Sequence, residues 1–187
     1  MSIKMPPRTI FDVETKTIGN PYELELSAIA IVNTEDGIPR FYDDLNMEDG
    51  IEQLVNAERL GGFNSIRFDN PVMLKYMTRA EGQEFIRKPH WDPLYEMQEQ
   101  FKGQRAPLRN FAKTTLGEQK FELLRTSAAA LATADARLLS VYNKVDTLLT
   151  YHLCIFAYQH GYLEFTLPVK RRLYFPYMNA NLRWGGR

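Results

Sequence analysis

Four acidic residues and one tyrosine sit in three short contexts whose residue types suit the binding of a divalent cation and chemistry assisted by it. The first context is Ile10-Phe11-Asp12-Val13-Glu14-Thr15, the second runs from Gly62-Phe63-Asn64 to Phe68-Asp69, and the third is Tyr142-Asn143-Lys144-Val145-Asp146. Asp12 and Glu14 end an apolar segment that reads as a strand, and residues two apart on a strand share a face. Two like charges on one face of a buried strand repel, and desolvation raises the cost. A divalent cation relieves both penalties, since carboxylate oxygens are hard ligands suited to Mg²⁺ or Mn²⁺. A bare D-x-E-T also ends many strands, so this context leaves both readings open.

Between 134 and 159 apolar residues recur at helical spacing, among them Leu138, Tyr142, Val145, Leu149, Leu153 and Phe156. Tyr142 and Asp146 stand one turn apart on that face, so Asp146 lies within an apolar stripe. A buried aspartate needs a partner: a metal and a hydrogen bond from Tyr142 are the two candidates. His160-Gly161 marks the helix end.

In the same chain order, D-x-E-T, N-x-x-x-F-D and Y-x-x-x-D resemble the three exonuclease motifs of the DEDD superfamily of 3′→5′ exonucleases. The Tyr matches the tyrosine branch (DEDDy), as in the proofreading domains of family B DNA polymerases and the stand-alone exonucleases related to them. The histidine branch carries His one residue before the Tyr position, where this chain has Val141. The resemblance runs from about Arg8 to Gly161. It implies an α/β, ribonuclease H-like three-layer fold, with a five-stranded mixed sheet flanked by helices and its second strand antiparallel. It also implies that Thr15 and Asn64 contact the terminal nucleotide and that Phe68 shapes the pocket; simple core packing is the competing role for Phe68. Arg67 has a phosphate or solvent as its alternatives.

Asp12, Glu14, Asp69 and Asp146 are the candidate ligands for two Mg²⁺ or Mn²⁺ ions, in a two-metal displacement at phosphorus. Tyr142 completes the catalytic set: a phenol with a reference pKa near 10 is a poor base at neutral pH, so it is assigned to orienting the attacking water. Asp92, before Pro93, has two open roles, a fifth metal-site acid or the N-cap of the next helix, with the cap favoured. The histidines lack metal-ligand spacing.

The elements that must position these residues are legible in outline. Strands are expected at 8–11, 23–32 and 39–42, with Asp36-Gly37 turning the second into the third. A helix is expected from Met47 to Leu60, ended by Gly61-Gly62, then a short strand reaching Phe63-Asn64 and a helix from Asn70-Pro71 to about Arg79. Residues 88–92 read as a strand and Pro93 as the first turn of a helix. Further helices are expected near Pro107–Leu116 and Ser127–Ala132. Strands that then alternate with helices indicate an α/β class.

Length and charge narrow the function. The 187 residues form one expected domain, 1–187. Lys+Arg and Asp+Glu balance at 23 each, which disfavours a coat-like nucleic-acid binder relying on a strongly positive field. The single cysteine, Cys154, reads as an inert core residue and permits no intrachain disulfide, which fits an intracellular, cytoplasmic compartment. No run of apolar residues reads as a signal peptide or membrane span. The segment 168–187 is basic and aromatic without Asp or Glu, with two readings: single-strand binding, or a tail or arm packed on the domain. The function expected from the motifs is hydrolysis of single-stranded DNA or RNA from its 3′ end to nucleoside 5′-monophosphates, with replication or repair proteins as candidate partners. A catalytically silent binding module of the same fold and a small-molecule phosphodiesterase are the alternatives.

Overall fold

The computed structural model describes residues 6–117 and 136–175, and of residues 136–142 the backbone alone. The expected helix near Ser127–Ala132, the side chain of Tyr142 and the segment after Phe175 therefore lie outside the described residues.

A five-stranded mixed sheet organises the chain. Its strands are β1 (Thr9–Thr15), β2 (Leu26–Asn33), β3 (Pro39–Tyr42), β4 (Leu60–Gly61) and β5 (His90–Trp91). Their order is β3-β2-β1-β4-β5. β2 is antiparallel to both β1 and β3, whereas β4 is parallel to β1 and to β5. The expected mixed sheet with an antiparallel second strand is present, in a layout compatible with the ribonuclease H-like fold.

Helices cover both faces. The alternation of β1 assigns them: Phe11 and Val13 join a core with Ile29, Ile31, Leu54 and Phe85, while Ile10 joins another with Trp91, Phe111, Leu149 and Leu153. The first core is closed by α1 (Met47–Asn56), α2 (Asp69–Leu74) and α3 (Arg79–Arg87). The second is closed by α4 (Pro93–Gln100), α5 (Leu108–Leu116) and the long α6 (Ala136–His160). Burying apolar side chains on two faces is what makes a sheet this narrow stable.

After α6, Gly161 adopts φ 78° and reverses the chain into an antiparallel hairpin of β6 (Tyr162–Thr166) and β7 (Lys170–Tyr174). Leu163, Phe165, Leu173 and Phe175 point inward and are fully buried. Residues 168–175 are thus packed structure rather than a solvated tail.

Several boundaries differ from those expected. β1 runs on to Thr15, so Asp12 and Glu14 lie within it, and β2 begins only at Leu26. α1 ends at Asn56, and Leu60–Gly61 form β4 instead of the helix end, because β1 and β5 offer a slot between them that only a strand fills. A Cβ on Gly61 would lie 2.6 Å from Ile10 Cδ1, and one on Gly62 2.9 Å from the Phe11 carbonyl oxygen, so close approach explains this glycine pair. The helix from Asn70 stops at Leu74, and a second one, α3, starts after Thr78, whose hydroxyl accepts from Glu81 N while the Glu81 carboxylate accepts from Thr78 N. No helix among the described residues is long and apolar enough to cross a membrane.

Candidate active site

β1 carries Asp12 and Glu14 on the face that α6 covers, the same face as Ile10. Across the ladder their partners are Ala30 and Ala28, both fully buried. Residues directly opposite in an antiparallel pair share a face. The two alanines therefore keep the sheet low beside the acids and leave height for their carboxylates. Glu14 is buried and Asp12 half-buried, and the β1–β2 register shifts between Glu14 and Thr15, where the ladder opens into the following loop.

α6 reaches this face through the third motif. Asn143, fully buried, donates from Nδ2 to Asp12 Oδ2 at 2.7 Å. Asp146, also buried, follows three residues later on the same helix, which places it on the same side. Two hydroxyls bond back along the helix: Thr147 donates to the Asn143 carbonyl at 2.7 Å and Thr150 to the Asp146 carbonyl at 2.9 Å. Asn143 was not among the expected site residues; its signal was a fully amide-type side chain on an apolar face, one turn before an aspartate.

The second motif arrives from the other side of β1. Asp69 opens α2 and accepts a hydrogen bond from Val13 N on Oδ1 at 2.9 Å, between the two β1 acids in sequence. Burial drives its carboxyl up to about 7; the Val13 N–H opposes that shift and the neighbouring Asp92 charge adds to it. All three motifs therefore converge on one strand, each through a direct hydrogen bond or residence on β1 itself.

Asp92 caps. Its Oδ1 accepts from Leu94 N and Tyr95 N at the start of α4 and from Asn64 N, while Oδ2 accepts from Ile66 N, all between 2.9 and 3.1 Å. With both oxygens taken by four amides, the cap reading accounts for this acid fully.

The expected nucleotide contacts have structural work of their own. Thr15 donates its hydroxyl to the Thr17 carbonyl at 2.7 Å. Asn64 takes φ 66°, a left-handed conformation that Asn tolerates, and turns the chain from β4 toward α2. Phe68 packs against the core under α1–α3. Arg67 is exposed, with its guanidinium 5.4 Å from the Tyr95 ring centroid and 3.9 Å from Glu99.

The donor chemistry suits a hard cation, because the candidates Asp12, Glu14, Asp69 and Asp146 are all carboxylates. Among the described residues no three His, Cys, Asp or Glu side chains stand close enough to form a metal-holding group. Two of the carboxylates instead engage protein donors, Asp12 with Asn143 Nδ2 and Asp69 with Val13 N.

No family model and no curated protein matches this chain. Among solved structures it is similar to the family B DNA polymerase from the hyperthermophilic archaeon Pyrobaculum calidifontis, with a TM-score of 0.57 and 17% identity. The match covers 81% of this chain and 25% of the polymerase, so the chain spans about a quarter of that protein's length. At that identity the likeness is one of fold.

Proposed function

We propose that this protein is a metal-dependent 3′→5′ exonuclease that removes nucleoside 5′-monophosphates from single-stranded ends. The observation that carries the reading is the convergence on β1: Asp12 and Glu14 on the α6 face, Asn143 of the third motif bonded to Asp12, and Asp69 of the second bonded to Val13 N. The fold shared with a DNA polymerase supports a nucleic-acid substrate.

In this reading Asp12, Glu14, Asp69 and Asp146 would hold two Mg²⁺ or Mn²⁺ ions. Such ions, when bound, supply a nucleophile at neutral pH and charge stabilisation for the leaving oxygen. The protein's own part is positional. Asn143 fixes the Asp12 carboxylate, Val13 N fixes that of Asp69, and the buried setting strengthens each polar contact. Tyr142, one helical turn before Asp146, orients the attacking water through its hydroxyl. Replication or repair proteins remain the partners this activity would serve.

The test is incubation of the purified chain with end-labelled single-stranded DNA and RNA, with and without Mn²⁺. Stepwise shortening from the 3′ end that stops under chelation supports the proposal. Intact strands in every condition favour the silent binding module, and cuts in circular single strands point to a different ribonuclease H-like chemistry.

A further inference from the structure

The chain as a whole is electrically balanced, yet two packed segments are not. Residues 101–117 contain Lys102, Arg105, Arg109 and Lys113 and no acid. Residues 161–175 contain Lys170, Arg171 and Arg172 against Glu164 alone. The fold joins these segments: Asn110 exchanges hydrogen bonds with the Thr166 backbone, Thr115 does the same with Glu164, and Arg171 approaches Gln104. Seven cations and one carboxylate thus share one lobe, and the remaining chain carries the compensating negative excess.

The outer face of the hairpin adds aromatic surface to that charge. Tyr162 opposes Tyr174 in the β6–β7 register, with ring centroids 6.3 Å apart, and Arg172 lies 4.3 Å above the Tyr162 ring. Phe156 and His160 at the end of α6 continue the row, their centroids 4.2 Å apart and Phe156 5.6 Å from Tyr162. Tyr174 is 54% exposed. Cations beside a row of rings are the two components of sequence-tolerant single-strand binding, where charges meet phosphates and rings meet bases. Glu164, held by Lys170 at 2.5 Å and Arg172 at 3.3 Å, fixes two of the cations on that face. The neighbouring helix α4 brings Glu99, which faces Arg67 instead.

We infer that the lobe formed by α5 and the β6–β7 hairpin binds the single-stranded nucleic acid upstream of the end being processed. The inference rests on the exonuclease reading for its substrate, and it adds a second contact surface remote from the acids. From Asn143 to His160 α6 rises roughly 25 Å, at 1.5 Å per residue. A dinucleotide held at the acids cannot reach the row of rings at the hairpin, whereas a longer strand can. The surface therefore acts on affinity for long strands and leaves chemistry at the end untouched.

Fluorescence anisotropy with a labelled oligothymidine of about 20 nucleotides, in chelator so that no hydrolysis occurs, tests this on the full chain. The triple variant Arg105→Gln, Lys113→Gln, Arg172→Gln is expected to bind at least about tenfold more weakly near 0.1 M salt, with a log–log salt slope shallower by about 2, since each lost phosphate contact removes about 0.7. Arg79→Gln with Arg87→Gln, exposed on α3 across the sheet, should leave both unchanged. Should the triple variant not fold, each single variant should still flatten the slope by about 0.7. Unchanged affinity and slope would overturn the inference, as would equally tight binding of polyglutamate, which would mark a surface for acidic proteins. Dinucleotide hydrolysis is measured in parallel. Its absence in the wild type alongside a salt-dependent lobe would defeat the exonuclease reading alone.

Discussion

Asn143 Nδ2 lies 2.7 Å from Asp12 Oδ2, so the third motif is tied to the first by a residue that neither motif names. Asn143 is fully buried, and its removal would leave a carboxylate without its amide donor. Hydrogen bonds to charged groups contribute about 1.5–3 kcal/mol, so Asn143→Ala should lower stability by that order. Urea denaturation followed by circular dichroism measures it. Activity should fall further than stability alone explains, because Asp12 would lose its fixed rotamer.

Asp12→Asn and Asp69→Asn keep the shape of each side chain and remove its charge. Both should abolish exonuclease turnover, and Asp69→Asn retains an oxygen for Val13 N, so its fold should persist. Near wild-type cleavage by either variant would show that the acids are not the site.

Tyr142→Phe separates orientation from ligation. Its rate should drop by about 10²- to 10⁴-fold, the usual worth of one positioned proton-handling group, while Mn²⁺ affinity stays constant. Isothermal titration with Mn²⁺ alongside single-turnover kinetics reads both quantities. Lost affinity would make the phenol part of the metal site, and an unchanged rate would reduce it to a packed neighbour.

His90 gives the fold an acid limit. Burial pulls its imidazole down from 6.5 to about 3, and Ser65 Oγ lies 2.8 Å from Nε2. Between those values the unfolded chain binds a proton that the folded one does not, so the His90 contribution to stability falls as pH drops from about 6.5 toward 3, against an opposite contribution from Asp69, whose carboxyl is raised to about 7. The slope is at most about 1.4 kcal/mol per pH unit. His90 belongs to an edge strand and is only half-buried, which reduces it. His90→Gln should flatten this limb in melts recorded from pH 7 to 4; an identical limb in the variant would assign acid sensitivity elsewhere.

Lys88 anchors the end of α1. Its ammonium donates to the carbonyls of Leu54, Val55 and Ala57, the last acceptors of that helix. Lys88→Met keeps the stem and removes these bonds. A loss of about 1–3 kcal/mol is expected from the urea midpoint, with dinucleotide hydrolysis unchanged.

The acids of β1 and the long helix were readable in the sequence because each depends on local order: alternation for Asp12 and Glu14, a 3.6-residue period for α6. Asp92 was also readable, since an Asp-Pro pair at a helix start has a local cause. Gly61-Gly62 was misread as a helix end because β4 is two residues long, too short for alternation, and exists only through neighbours on both sides. The Thr78–Glu81 box and the alternation of Tyr162 to Thr166 are local signals of the same kind. Asn143 was not readable, being a product of contact between a helix and a strand. The basic, aromatic character of 168–175 was readable, but its junction with the cations of 101–117 was not, because only tertiary contact joins the two segments.

The four amides gathered by Asp92 belong to two different elements, the 64–66 turn and the first turn of α4. Neither set can exchange its protons with solvent until the one carboxylate lets go. Hydrogen exchange at Asn64, Ile66, Leu94 and Tyr95 should therefore follow one shared opening rate, distinct from that of the sheet. Gln100, at the far end of the same helix, bonds to the Tyr174 backbone on β7. Release at Asp92 would accordingly loosen the second motif and the first turn of α4 in one event, making this carboxylate the clasp between them.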